Sequence, residues 1–138
     1  MFETLLLALD ESTHSEKALA AAKSLAKLSG GEVVVLHVRE YGFAGRAGQI
    51  DLEEKGPAHK IVDDAVADLT GAGVKATGTV RGALHGHQAA EILDEAASSG
   101  ASVIVMGSRG LNDLEGLLVG STTHKVLHLG KLPVLVVR

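Results

Sequence analysis

The sequence predicts an α/β domain built on an open, parallel β-sheet. Short apolar runs alternate along the chain with segments whose apolar residues recur at helical spacing, and such alternation is the mark of repeated strand–helix crossovers. Most of the runs are continuous hydrophobe, the pattern of strands covered on both faces. Apolar residues make up 46% of the 138 residues but aromatic ones only 2%, so the core has to be Val, Leu, Ile and Ala. A chain of this length buries a real core as one domain, residues 1–138.

The first strand is TLLLAL (residues 4–9), closed by Asp10. Thr13 and Glu16 have the spacing of a capping box, and Ala18, Leu19, Ala22, Leu25 and Ala26 form a helical stripe ending near Gly30 and Gly31. VVVLHV (33–38) is the second strand, in which His37 reads as a core histidine with satisfied partners. Residues 39–56, REYGFAGRAGQIDLEEKG, hold four glycines and no period, and read as a solvated surface loop. Pro57 suits a first helical turn, and Ile61, Val62, Ala65, Val66 and Leu69 repeat at helical spacing until Gly71. VKATGTV (74–80) alternates polar and apolar residues, which places this third strand at a sheet edge. A third helix carries Ala89, Ile92, Leu93 and Ala96. VIVM (103–106) is a buried fourth strand. The last helix follows Gly120 and buries Val126, Leu127 and Leu129 before the closing strand PVLVV (133–137). Right-handed crossovers are expected throughout.

Composition excludes several function classes. The formal charge of −4 opposes a nucleic-acid binder, which needs a basic face. No cysteine is present, so neither disulfides nor thiolate chemistry is available. The opening MFETLLLALDEST lacks a basic n-region, and no segment approaches the roughly 18–20 apolar residues of a membrane span. The expectation is a cytoplasmic chain with no membrane partner.

Ligands of open α/β sheets sit at the carboxyl ends of the strands. Those ends offer Asp10, Glu11 and Ser12 after the first strand, Val38 and Arg39 after the second, and Gly107, Ser108, Arg109 and Gly110 after the fourth. Gly120 and Ser121 open the next helix, whose free amides and dipole favour a phosphate. Glycine lets an anion approach without meeting a Cβ, and Arg109 adds a forked donor. Read this way, MGSRGLNDLEGLLVGST (106–122) is a two-point phosphate clamp; the same glycines also suit plain turns and caps. Other nucleotide and catalytic signatures fail: there is no Walker A sequence, no G-x-G-x-x-G, no H-E-x-x-H and no G-x-S-x-G. His124 and His128 stand four apart but lack a third ligand in sequence, and the carboxylate doublets point in different directions from their helices.

Gly107-x-x-Gly110, nine residues, then Gly120-Ser121 resembles the G-x2-G-x9-G-[ST] pattern of ATP-binding universal stress proteins. LLLALDES, SVIVMGSRG and VGSTTHKVLHLGKLPVLVVR resemble the family's first strand, fourth strand and closing segment, so the resemblance runs nearly end to end. It implies a five-stranded parallel sheet of order 3-2-1-4-5 with helices on both faces, the adenine nucleotide α-hydrolase-like architecture. It also implies a bound adenine nucleotide, with Asp10 and Val38 on the adenine or ribose side and Leu9, Ser12 and Met106 also among the binding residues. Gly107, Arg109 and Gly110 would meet ribose and phosphates, while Gly120, Ser121 and Thr122 hold the phosphates. The nucleotide expected is ATP or another adenine nucleotide with Mg²⁺. A homodimer through Val134–Val137, regulatory protein partners and little or no hydrolysis complete the expectation. Two positions depart from the family: Glu11 replaces a frequent Gly and adds negative charge, and Ser102 stands where Asp is common, at a position that reads as structural.

Overall fold

The computed structural model describes residues 1–109 and 119–138. Five strands form the parallel core of one sheet: β1 (Thr4–Leu9), β2 (Glu32–Phe43), β4 (Ala76–Leu84), β5 (Val103–Gly107) and β6 (Val134–Val137). Their spatial order is β4-β2-β1-β5-β6, which is the expected 3-2-1-4-5. Among the described residues β4 pairs only with β2, which puts the alternating VKATGTV segment at an edge.

The alternation of side chains along β1 explains the layers. Leu5, Leu7 and Leu9 face α1 (Thr13–Ser29) and α2 (Lys55–Gly71), meeting Ala18, Ala22, Val62 and Leu69. Leu6 faces α3 (Gln88–Ser99) and α4 (Ser121–Leu129), meeting Ile92, Ala96 and Val126. Both faces of the central strand are therefore sealed, as a continuous apolar run requires. Small residues permit the close packing: a Cβ on Gly78 of β4 would lie 2.2 Å from Val62 Cγ1. Ser102 donates both its amide and its hydroxyl to the Thr4 carbonyl, at 2.8 and 3.0 Å, which gives that position a structural role.

Four local expectations need correction. Residues 39–56 are not simply a loop. β2 runs on to Phe43, a 3-10 turn covers Gly45–Ala47, and β3 (Gln49–Asp51) returns antiparallel along β2, pairing Gly42 with Ile50. β4 occupies the other edge of β2 up to Tyr41, so β3 lies on the β1 side, beyond the end of β1. Among the described residues the sheet thus has six strands. Second, α1 is capped by Ser12 with no side-chain cap bond, and not by a Thr13–Glu16 box. Third, Leu127 and Leu129 are exposed, because the short α4 turns only Thr123 and Val126 fully inward. Fourth, the third strand starts two residues later than VKATGTV and extends to Leu84, since β2 continues beside it as a template. No helix among the described residues is long and apolar enough to cross a membrane.

Candidate functional site

A cavity of about 550 Å³ opens at the carboxyl ends of β1, β2 and β5, where the order of the sheet reverses. Its apolar lining is Ala8, Leu36, Val38, Ile92 and Met106. Polar groups converge from all sides, and the volume lies within the range of small-molecule sites.

Asp10 follows β1 and is held by its own turn. Its Oδ1 accepts from the Ser12 amide at 2.7 Å and from Ser15 Oγ at 2.8 Å, while its amide donates to Ser15 Oγ at 2.7 Å. This short-range bonding stiffens the entry into α1 and turns Asp10 to the cavity wall. Ser12 Oγ is buried and without a partner among the described residues.

The end of β5 is stitched to the start of α4. Gly120 donates its amide to Ser108 O at 2.6 Å, Ser108 donates to Val137 O at 2.7 Å, and Thr123 Oγ1 donates to Gly107 O at 2.8 Å. Two of the amides in the expected clamp are therefore committed within the fold. Gly107 is glycine for a packing reason: a Cβ there would lie 2.7 Å from the His14 Cβ in the first turn of α1. What remains for an anion, among the described residues, is the start of α4. Ser121, Thr122 and Thr123 carry amides with no intrahelical acceptor, as the first turn of any helix does, and all three line the cavity.

The opposite wall comes from the β2–β3 ribbon. His37 is 3% exposed; its Nδ1 faces the Leu9 carbonyl at 2.6 Å and its Nε2 faces both Glu53 oxygens at 2.6 and 2.7 Å. A carbonyl only accepts, so Nδ1 carries the hydrogen there. Arg39 Nη1 donates to the Glu53 carbonyl at 3.1 Å and pairs with Asp51 at 2.7 Å. Asp51 accordingly has its carboxyl held below the usual 3.8, by the hydrogen bond from Arg39 and, with smaller weight, by the charges of Arg39 and Lys55 against a partial desolvation. At the mouth, Glu40 accepts from Gln88 Nε2 and faces His85 Nδ1 at 2.6 Å, and Lys125 Nζ donates to Gly86 O at 2.9 Å.

Of the site residues expected from sequence, Leu9, Asp10, Val38, Met106, Gly107, Arg109, Ser121 and Thr122 line this one cavity. Ser12 and Gly120 sit beside it without lining it, and Gly110 lies outside the described residues. Glu40, Leu52 and Glu53 also line the cavity, and no sequence signal marks them, because the ribbon carrying them has no hydrophobic period. Thr123 and Lys125 line it as well, and their signal is position: both follow Gly120 within a turn and a half of helix.

The whole chain, residues 1–138, matches the model of the universal stress protein family. It belongs to that family. The chain is 36% identical to universal stress protein YxiE of Bacillus subtilis, with both chains covered in full. It is 37% identical to a universal stress protein of Thermus aquaticus, again over the whole of both. Among solved structures it resembles MJ0577, a universal stress protein of Methanocaldococcus jannaschii, with a TM-score of 0.80 and 26% identity over 99% of this chain and 96% of that one. Universal stress protein structures in complex with dAMP, from Archaeoglobus fulgidus, and with cAMP share its fold at TM-scores of 0.72 and 0.70; at 23% and 24% identity that likeness is one of fold. For this universal stress protein the fold agrees with the membership.

Proposed function

We propose that this universal stress protein binds an adenine nucleotide in the cavity and acts as a nucleotide-responsive regulatory module rather than as an efficient hydrolase. One observation carries the reading: apolar side chains of Leu36, Val38, Ile92 and Met106 line the same cavity as Ser121, Thr122 and Thr123, whose amides at the start of α4 have no acceptor among the described residues. A flat apolar ring fits the first and a phosphate the second. Fold neighbours that hold dAMP and cAMP support the choice of adenine. ATP is the nucleotide the glycine pattern favours. Its Mg²⁺ would rest chiefly on the phosphates, since no cluster of three or more His, Asp or Glu ligands occurs among the described residues.

Hydrolysis needs a positioned base and charge on the transferred group. Asp10 has one carboxylate oxygen bound twice within its own turn, which fits a positioning role better than a base. Rapid steady-state ATP turnover, abolished in Asp10→Ala, would contradict this part. Association through the open edge of β6, where Leu135 is 40% exposed, is part of the proposal. Sedimentation should give a dimer for the native chain and a monomer for Leu135→Lys; a native monomer would remove this element.

A second reading has support of its own. The Ser108 and Gly120 amides are committed, and Glu11 brings charge to the rim. Both favour an interaction protein of the same fold with an empty cavity. Gentle purification and acid extraction separate the two readings. Adenine nucleotide near one per chain is expected from the native protein and should vanish in Ser121→Pro. That substitution removes one amide at the first helical position, where proline is tolerated, and Gly120 before it already has the extended ψ of 166° that proline demands. A native protein that yields no nucleotide and takes up none added favours the second reading.

A further inference from the structure

We propose that Lys125 is the residue that distinguishes a phosphorylated ligand from an unphosphorylated one, and that it reports phosphate to the loop around Gly86. The proposal rests on the nucleotide reading above and concerns a side chain outside the glycine pattern. Lys125 follows Ser121 by four residues, so the two share one face of α4. Helical side chains lean toward the N-terminus, which directs the lysine toward the first turn of α4. Both residues line the cavity.

The charge lining the cavity gives this lysine its weight. Among the described residues, Asp10, Glu11, Glu40 and Glu53 supply four carboxylates, against two permanent cations, Arg109 and Lys125. A phosphate entering such a site meets net repulsion unless a cation moves to it. Among the described residues Lys125 has no carboxylate within salt-bridge distance. Its ammonium donates to a neutral acceptor, Gly86 O, at 2.9 Å. Arg39 and Arg81, by contrast, are held by acidic partners. A phosphate at the α4 amides offers Lys125 a charged acceptor, and charge-assisted hydrogen bonds are about twice as strong as neutral ones. The ammonium transfers to it, and Gly86, the left-handed centre of the β4–α3 connection (φ 85°), loses its tie to α4. The exposed His85–His87 turn then differs between the phosphate-bound and empty states.

Calorimetric titration of the native chain, Lys125→Met and Lys125→Arg with adenosine and with AMP tests the assignment. Lys125 is exposed, so folding should not suffer; equal melting temperatures check this. The expected result is an AMP affinity lowered about tenfold or more in Lys125→Met, adenosine affinity unchanged, and substantial recovery in Lys125→Arg. In amide NMR spectra of the native chain, Gly86 and His87 should shift with AMP and stay in place with adenosine. Unchanged AMP affinity in Lys125→Met, or equal losses for both ligands, would overturn the proposal. If the native chain binds adenosine and AMP equally, phosphate reading fails while the adenine slot survives. If it binds neither, the nucleotide reading itself falls and takes this assignment with it.

Discussion

A buried imidazole with an acceptor at each nitrogen has little freedom, and His37 fastens three parts of the fold together. Through Leu9 O it holds the end of β1, and through Glu53 it holds the chain beyond β3. Removing the carboxylate leaves the buried Nε2 without a partner. Glu53→Ala should therefore cost about 1–3 kcal/mol in urea denaturation, while Glu53→Gln, which keeps an acceptor, should cost clearly less. Equal losses in the two variants would show that packing, rather than the hydrogen bond, matters at this position. His37 was legible in the sequence as a core histidine, because a polar residue within VVVLHV must be satisfied or destabilise the strand. Its partner was not legible, since Glu53 lies 16 residues away in a segment with no period. Gly107 teaches the opposite lesson. Its place at a strand end was read correctly, but its lack of a Cβ makes room for His14, and only the packed structure reveals that contact.

At the scale of elements, continuous apolar runs located β1 and β5 almost to the residue, since strands sealed on both faces carry their signal locally. The β2–β3 ribbon was invisible for the same reason in reverse. Phe43, Ile50 and Leu52 are exposed on it, and its order comes from backbone pairing and the Arg39 contacts rather than from a hydrophobic face. That ion pair gives the ribbon a pH dependence. The Asp51 carboxyl is held below its ordinary value, so its contribution is present above the unfolded aspartate range and is lost as pH falls through the lowered folded value. A carboxyl NMR titration should place Asp51 below 3.8 in the native chain and return it to about the ordinary range in Arg39→Met. An unchanged titration in the variant would show that Arg39 is not the cause. α4 was found by its start, Gly120-Ser121, but its apolar stripe misled. With nine residues and one face against the sheet, the helix leaves Leu127 and Leu129 outside.

For the whole molecule, the parallel order β4-β2-β1-β5-β6 puts the ends of β1 and β5 side by side and sends their crossovers to opposite faces. The crevice between them follows from topology, and its chemistry follows from what the chain places there. An apolar floor, an anion-receptive helix start and a ribbon that walls the far side came together from segments more than 80 residues apart. Nucleotide binding in this cavity depends on the α4 amides receiving the ligand's phosphate. The most direct measurement is an amide NMR titration of the native chain with ATP. Saturable shifts of Ser121, Thr122 and Thr123, reaching completion at one nucleotide per chain, are predicted. Saturable binding that leaves those three amides unmoved, or no binding at millimolar nucleotide, would contradict it.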